Sequence, residues 1–182
     1  MGKRAEKQEE TRRRIVDATV ELHGTVGPAR TTVSQIAERA GVQRHTFYAH
    51  FPDERSLLEA CSGLTLERDP LPVAAPLRRL PPGPGRVRAG LAAFYAWYGR
   101  NAGLAACVLR DAEIHGPTRE IVGERMAPAF VGAAEVLGEG LSDRALAMLG
   151  VALDFACWRV LAQRHDPEAA AELMAAAIAA LD

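Results

Sequence analysis

Between Thr32 and Phe51 the chain reads TVSQIAERAGVQRHTFYAHF, and no other stretch narrows the possible folds as far. Ile36, Ala37 and Ala40 form a narrow apolar stripe at helical spacing. Thr31 and Thr32 precede it, and their hydroxyls suit the free amides of a first helical turn. Gly41 fits the left-handed position that ends a helix, with Val42 as the apolar contact beyond it. A second short helix follows, in which Val42, Phe47 and Phe51 face inward while Gln43, Arg44, His45, Thr46 and Tyr48 form the other face. Two helices crossing at a tight glycine turn make a helix-turn-helix, whose second helix enters the DNA major groove. Small Ala37 and Ala40 let the two helices approach closely.

The pattern T-V-x-x-I-A-x-x-A-G-V-x-x-x-T-x-Y-x-H-F, as it stands from Thr32 to Phe51, resembles the signature of the tetracycline-repressor (TetR) family. Thr32, Val33, Ile36, Ala37, Ala40, Gly41, Val42, Thr46, Tyr48, His50 and Phe51 carry the resemblance. It is strong over residues 10–60; beyond them only an all-helical layout is shared. The resemblance implies a homodimeric transcriptional repressor on a palindromic double-stranded DNA operator, released when a small-molecule effector enters a helical body. A ligand-independent dimeric regulator whose body has no pocket is the alternative. One position departs from the family pattern, which has Lys three residues after the Phe of the H-F pair. Here that residue is Glu54, which suits a helix N-terminus but repels phosphate, with Arg55 as the neighbouring cation available to compensate.

The expected DNA contacts divide by chemistry. Gln43 and Arg44 open the second helix and have the donor groups to read adenine and guanine edges. His45 is a weaker candidate for the same role, and Ser34 is placed to reach a flanking base. Thr32, Thr46, Tyr48 and His50 hold phosphates or set the helix orientation. For Tyr48 a packing aromatic, and for His50 a structural role, are the competing readings.

Charge agrees once the chain is divided. Net charge is −1, yet residues 1–50 hold nine Lys/Arg against six Asp/Glu. A basic N-terminal piece on an acidic body suits a chain of which one end meets phosphate. Arg12, Arg13 and Arg14 are expected to reach mainly toward solvent or phosphate. Cys61, Cys107 and Cys157 are widely spaced, without a CxxC pair, and suit a reducing cytoplasm, where such a regulator associates with the nucleoid. No secretory leader and no membrane-spanning run are read from the sequence, so no membrane partner is expected.

The fold class expected is all-α with about nine helices: a three-helix DNA-binding head and a helical body for ligand binding and dimerisation. Residues 1–52 form the head, 53–85 a linking helix and proline-rich connector, and 86–182 the body. A first helix is expected from about Glu9 to His23, with Ile15, Ala18 and Leu22 buried. Asp53 caps a fourth helix to about Arg68, and six prolines between Asp69 and Gly85 exclude a regular helix there. Helices are then expected over 86–100, 102–115, 117–138, 142–161 and 166–182. The last two are helices 8 and 9 of that count; the first is apolar around most of its circumference and the second nearly an alanine rod. They read either as a core helix beside an ordinary terminal helix, or as the homodimer interface.

Candidate pocket walls are Phe94, Trp97, Tyr98, Met126, Phe130, Phe155 and Trp158, with core packing as the other reading. Asp111 and Asp154 each lie within an apolar stripe. A carboxylate buried without a partner costs several kcal/mol, on the order given for buried ions. Each is therefore either paired, with Arg110, Arg159 or His115 at hand, or positioned to orient a cationic or hydroxylated ligand. No catalytic residue, metal site or cofactor is expected. Asp111, Glu113 and His115 sit two apart, so they point to different sides of a helix, and no HExxH, GxSxG, P-loop or GxGxxG is present.

Overall fold

A computed structural model describes residues 2–182, and among them every regular element is a helix. Nine α-helices run in order: α1 (Lys3–Thr25), α2 (Val33–Ala40), α3 (Arg44–His50), α4 (Glu54–Arg68), α5 (Pro84–Ala112), α6 (Gly116–Leu137), α7 (Asp143–Leu153), α8 (Phe155–Leu161) and α9 (Pro167–Ala179). Short 3-10 turns lie at Pro28–Arg30 and Ala75–Arg79. The chain divides into two compact units: Met1–Pro70 with Gly103–Arg125, and Leu71–Ala102 with Met126–Asp182. These cuts differ from the expected boundaries after residues 52 and 85, because α4 and a stretch of α5 and α6 belong to the first unit.

In the first unit, α1 buries Ile15, Val16, Ala18 and Leu22 against Ile36 and Ala40 of α2, Phe47 of α3, Phe51, and Leu57, Leu58 and Cys61 of α4. Each fully buried Ile, Leu or Phe contributes about 1.5–3 kcal/mol relative to exposure, which is why the short α2 and α3 persist at all. Thr19 lies in the same stripe, its hydroxyl donating to the Ile15 carbonyl at 2.8 Å. The helix begins at Lys3, earlier than the expected Glu9; its first turns are exposed and contain no helix breaker.

The second unit packs Leu91, Phe94, Tyr95 and Tyr98 of α5 with Ala133, Val136 and Leu137 of α6 and the inner faces of α7, α8 and α9. Gly90 permits the approach of α5 to α6: a Cβ there would lie 2.5 Å from Leu137. Arg86 is buried and donates to the carbonyls of Leu80 and Val136 and to Glu139, tying the proline-rich segment down.

Two helix expectations are corrected. The helices read over 86–100 and 102–115 are one continuous α5. Gly103 costs about 1 kcal/mol in a helix but does not end it, and the Asn101 side chain donates back to the Trp97 carbonyl at 2.9 Å. The helix read over 142–161 is instead interrupted at Asp154, whose ψ of 137° is extended. There Asp154 accepts from the Ala156 amide at 2.6 Å and caps α8. The carbonyls released by the break are taken up by buried phenols: Tyr95 donates to Ala152 at 2.8 Å and Tyr98 to Leu153 at 2.7 Å. At the start of α9, Asp166 caps the Ala169 amide and Pro167 occupies the first turn, where its missing N–H costs nothing.

Candidate nucleic-acid interface

The helix-turn-helix is built from local chemistry. Thr32 and Gln35 form a reciprocal capping box: the Gln35 amide donates to the Thr32 hydroxyl at 3.3 Å, and the Thr32 amide to the Gln35 carboxamide at 2.8 Å. Gly41 closes α2 at φ +64°, and the Val42 amide donates to the Ala37 carbonyl at 2.9 Å. Phe47 and Phe51 anchor α3 inward, their ring centroids 6.0 Å apart.

The opposite face of α3 is open. Gln43 stands at the cap position without a side-chain cap bond and is exposed. Arg44 and His45 are exposed; the Nε2 of His45 lies 3.3 Å from the hydroxyl of half-buried Thr46. Tyr48 is 47% exposed and meets Phe47 edge-on at 5.5 Å, so its ring packs while its surface stays wet. His50 is half-buried at the end of α3, and Thr32 and Ser34 are exposed at the start of α2. The Thr32 hydroxyl is already engaged in the capping box. This arrangement presents two forked or amide donors at the start of a helix, the geometry of base-edge reading.

Of the three arginines expected to reach toward solvent or phosphate, Arg13 is exposed, while Arg12 and Arg14 brace the head. Arg12 stacks over Phe51, 4.6 Å from the ring centroid. Arg14 donates to the carbonyls of Ala40 and Gly41, the latter at 3.0 Å, satisfying the acceptors that the end of α2 leaves open. The sequence carries no local signal for this role, since the partners lie 26 and 27 residues away. Arg55 is likewise committed. It meets Glu124 at 2.8 Å, Glu59 at 2.9 Å and Glu120 at 3.4 Å, so it is not the free cation that would offset Glu54. Glu54 itself faces His115 at 3.4 Å.

Each acid of the apolar stripes has protein partners. Asp111 is fully buried in the first unit, accepting from Arg110 Nε at 2.8 Å and from the Ala29 amide at 2.9 Å. Burial alone would raise its carboxyl, but the Arg110 and Ala29 hydrogen bonds outweigh it and hold the group below the ordinary carboxylate value. Arg110 also donates to the Val26 carbonyl at 3.0 Å. Asp154, exposed, is the cap of α8. His23 is buried beside Cys61, Nδ1 to Sγ 3.7 Å; burial pushes the imidazole down to about 4 and the thiol up to about 12.

The aromatic group of the second unit is packed on itself. Phe94 and Phe130 lie 5.1 Å apart, Tyr98 and Phe155 5.2 Å, and Tyr98 and Trp158 5.6 Å, with Trp97 against Tyr98 at 5.8 Å. Met126 is half-buried. On the outside of the same unit, an open groove of about 800 Å³ is lined by Gly150, Val151, Asp154, Cys157, Val160 and Leu161, among others. Among the described residues no group of His, Cys, Asp and Glu is placed to hold a metal, and no helix is long and apolar enough to cross a membrane.

Residues 15–61 match the model for bacterial regulatory proteins of the tetR family. The helix-turn-helix domain belongs to that family. This tetR-family domain is 43% identical over 58 residues to the HTH-type transcriptional regulator SrpR of Pseudomonas putida, covering 32% of this chain and 27% of that protein. It is 45% identical over 49 residues to the HTH-type transcriptional regulator BetI of Escherichia coli K12 / DH10B, or 27% of this chain and 25% of that protein. The matched stretch thus spans well under half of each relative's length. Over the longer chain, the fold is similar to the transcriptional regulator FadR of Bacillus subtilis, solved with stearoyl-CoA. The TM-score is 0.64 at 19% identity, covering 93% of this chain and 98% of that one. At that identity the likeness is one of fold.

Proposed function

We propose that this chain is a DNA-binding transcriptional regulator, a repressor that grips a palindromic operator as a homodimer and lets go when a small molecule binds its body. The observation that carries the DNA-binding part is α3: anchored through Phe47 and Phe51, it presents Gln43, Arg44, His45 and Tyr48 outward from a tetR-family domain. Gln43 and Arg44 read base edges with His45 beside them, Ser34 reaches a flanking base, Thr46, Tyr48 and His50 hold phosphates or set the helix orientation, and Thr32 sets the course of α2 through its cap.

A recognition helix of seven residues reaches few base pairs. Two copies spaced about 34–36 Å apart read two half-sites on one face of the duplex. Support for pairing comes from α7, α8 and α9: Val151 and Val160 are exposed in the apolar groove, and Leu146 of α7 and Leu173 of α9 are exposed as well. An exposed apolar groove of this kind suits an interaction site.

The effector site is assigned to the aromatic group of the second unit, Phe94, Trp97, Tyr98, Met126, Phe130, Phe155 and Trp158. A ligand acts there only through unequal affinity for DNA-competent and DNA-incompetent conformations. The mutual packing of these rings favours the second reading, a dimeric regulator whose body binds nothing.

Enrichment of duplexes from a randomised library tests the proposal. The wild type enriches a two-fold symmetric site. Arg44→Ala weakens binding by about 1–3 kcal/mol and relaxes the choice of base at one position per half-site. A wild type that enriches no sequence refutes the proposal, and uniform weakening across all sites makes Arg44 a phosphate contact.

A further inference from the structure

Between Arg12 and Arg68 the chain has eight arginines and no lysine. Six are engaged within the first unit. Arg12 stacks on Phe51, Arg13 faces Asp17 one turn along, and Arg14 closes the end of α2. Arg39 pairs with Glu21, Arg55 with Glu59, Glu120 and Glu124, and Arg68 with Asp17 at 2.5 Å. Of these eight, the guanidinium groups of Arg30 and Arg44 alone have no hydrogen bond, ion pair or ring contact among the described residues, although Arg30 lies within Coulombic reach of Asp111. Arg44 opens the recognition helix. Arg30 is exposed and ends the 3-10 turn, two residues ahead of Thr32.

The backbone under Arg30 is braced from both sides. The Ala29 amide donates to Asp111 at 2.9 Å, and the Thr31 hydroxyl donates to the Gly27 carbonyl at 2.7 Å. Arg110 holds the Val26 carbonyl at 3.0 Å. Gly27 adopts φ +99°, and a Cβ there would fall 2.3 Å from the Asp111 carboxylate, so no other residue lets the turn sit this way. The cation therefore projects from a segment whose course is fixed, beside the N-terminus of α2, where the helix dipole also favours an anion. At the start of α4, by contrast, Glu54 is negative and Arg55 is neutralised by three carboxylates.

We infer that Arg30 is a DNA phosphate contact, and that this domain takes its backbone charge from the turn ahead of α2 rather than from the start of α4. The inference rests on the DNA-binding reading above. Its counterpart on DNA is a phosphodiester flanking the bases that α3 reads. The contact carries no sequence preference and shows itself through counterion release.

The test measures affinity by fluorescence anisotropy from low to physiological salt, using a labelled duplex enriched by the wild-type chain. Arg30→Ala is expected to reduce the salt slope by about 0.9 per bound head and to weaken all site variants alike. Arg30→Lys keeps the slope, and Arg68→Ala, at a committed arginine, leaves it unchanged. An unchanged slope in Arg30→Ala, or an affinity loss equal at every salt concentration, overturns the inference and leaves the DNA-binding reading standing. Failure of the wild type to enrich any duplex overturns that reading first, and the inference with it.

Discussion

Replacing Asp111 by asparagine removes a charge from a fully buried side chain and leaves its shape nearly unchanged. The carboxylate serves two donors at once, Arg110 Nε at 2.8 Å and the Ala29 amide at 2.9 Å. An asparagine serves one of them. If its oxygen faces Ala29, its NH₂ group faces the arginine, and a charge-assisted hydrogen bond becomes a donor–donor conflict. Arg110 is 46% exposed, so solvent screening keeps that loss to roughly 1 kcal/mol. If the amide is turned the other way, the Ala29 N–H is left unsatisfied, at about 1–3 kcal/mol. The expected cost is about 2 kcal/mol, or about 4–8 °C in the unfolding midpoint of a chain this long.

The pH dependence sharpens this test. The Asp111 carboxyl is held below its ordinary value in the folded chain, so its contribution is fully present above about pH 4. It is lost as pH falls through the depressed folded value and the carboxylate protonates. Circular dichroism melts at pH 7, 5 and 3.5 therefore show a gap between wild type and Asp111→Asn that is constant above about pH 4 and narrows below it. A gap under about 1 °C at pH 7, or one that persists unchanged in acid, refutes the assigned role. Gly27→Ala attacks the same clasp from the backbone, by placing a methyl group against the Asp111 carboxylate. Residues sharing one network do not add, so the double variant costs less than the sum of its parts.

His23 is buried and neutral, its imidazole pushed down to about 4, whereas in the unfolded chain it titrates near 6.5. Stability is then full above about pH 6.5 and falls by up to about 3 kcal/mol as pH drops toward 4. His23→Gln removes that part of the acid slope in urea titrations, and a slope that survives the substitution assigns it elsewhere. At the outer face of the second unit, Val151 and Val160 are 54% and 66% exposed, so charging them leaves the core intact. On the proposed dimer, the wild type is expected to sediment as a dimer and Val151→Lys combined with Val160→Lys as a monomer. An unchanged sedimentation coefficient moves the interface away from α7 and α8.

The reading head was legible in the sequence because its determinants are short-range. Thr32 and Gln35 cap α2 from three residues apart, and Gly41 terminates it with the expected backbone. Asp53 opens α4 and Arg68 closes it where the pattern ended. The roles of Arg12, Arg14 and Arg55 were not legible. Their partners Phe51, Ala40, Gly41, Glu120 and Glu124 come together only in three dimensions, and an exposed arginine and a bracing one look alike in a string. The expected boundary at Asn101 is absent: α5 runs through it and through Gly103 two residues on. Helical glycine is a modest penalty that packing overrides; a Cβ at Gly103 would meet the Gly24 carbonyl at 3.7 Å, so the helix lies close to that backbone.

Asp111 and Asp154 carry the point furthest, because in sequence they are the same feature: one acid within an apolar helical stripe. Burial forces a choice on each, since an unpaired carboxylate in a core costs more than a helix break or an added ion pair. Asp111 lies near the end of a helix whose preceding residue is an arginine, and a loop amide is at hand. It stays buried, and the energy of that pairing goes into fixing the turn at Val26–Ala29. Among the described residues no cation pairs with Asp154; the helix gives way there and the carboxylate turns outward to cap α8. The two phenols that accept the consequence, Tyr95 and Tyr98, are themselves buried aromatics that needed hydrogen-bond acceptors. The break at Asp154 and the aromatic core therefore depend on each other. Removing either phenol leaves a buried carbonyl of α7 without a partner, so an effector bound among these rings would act first on the α7–α8 junction.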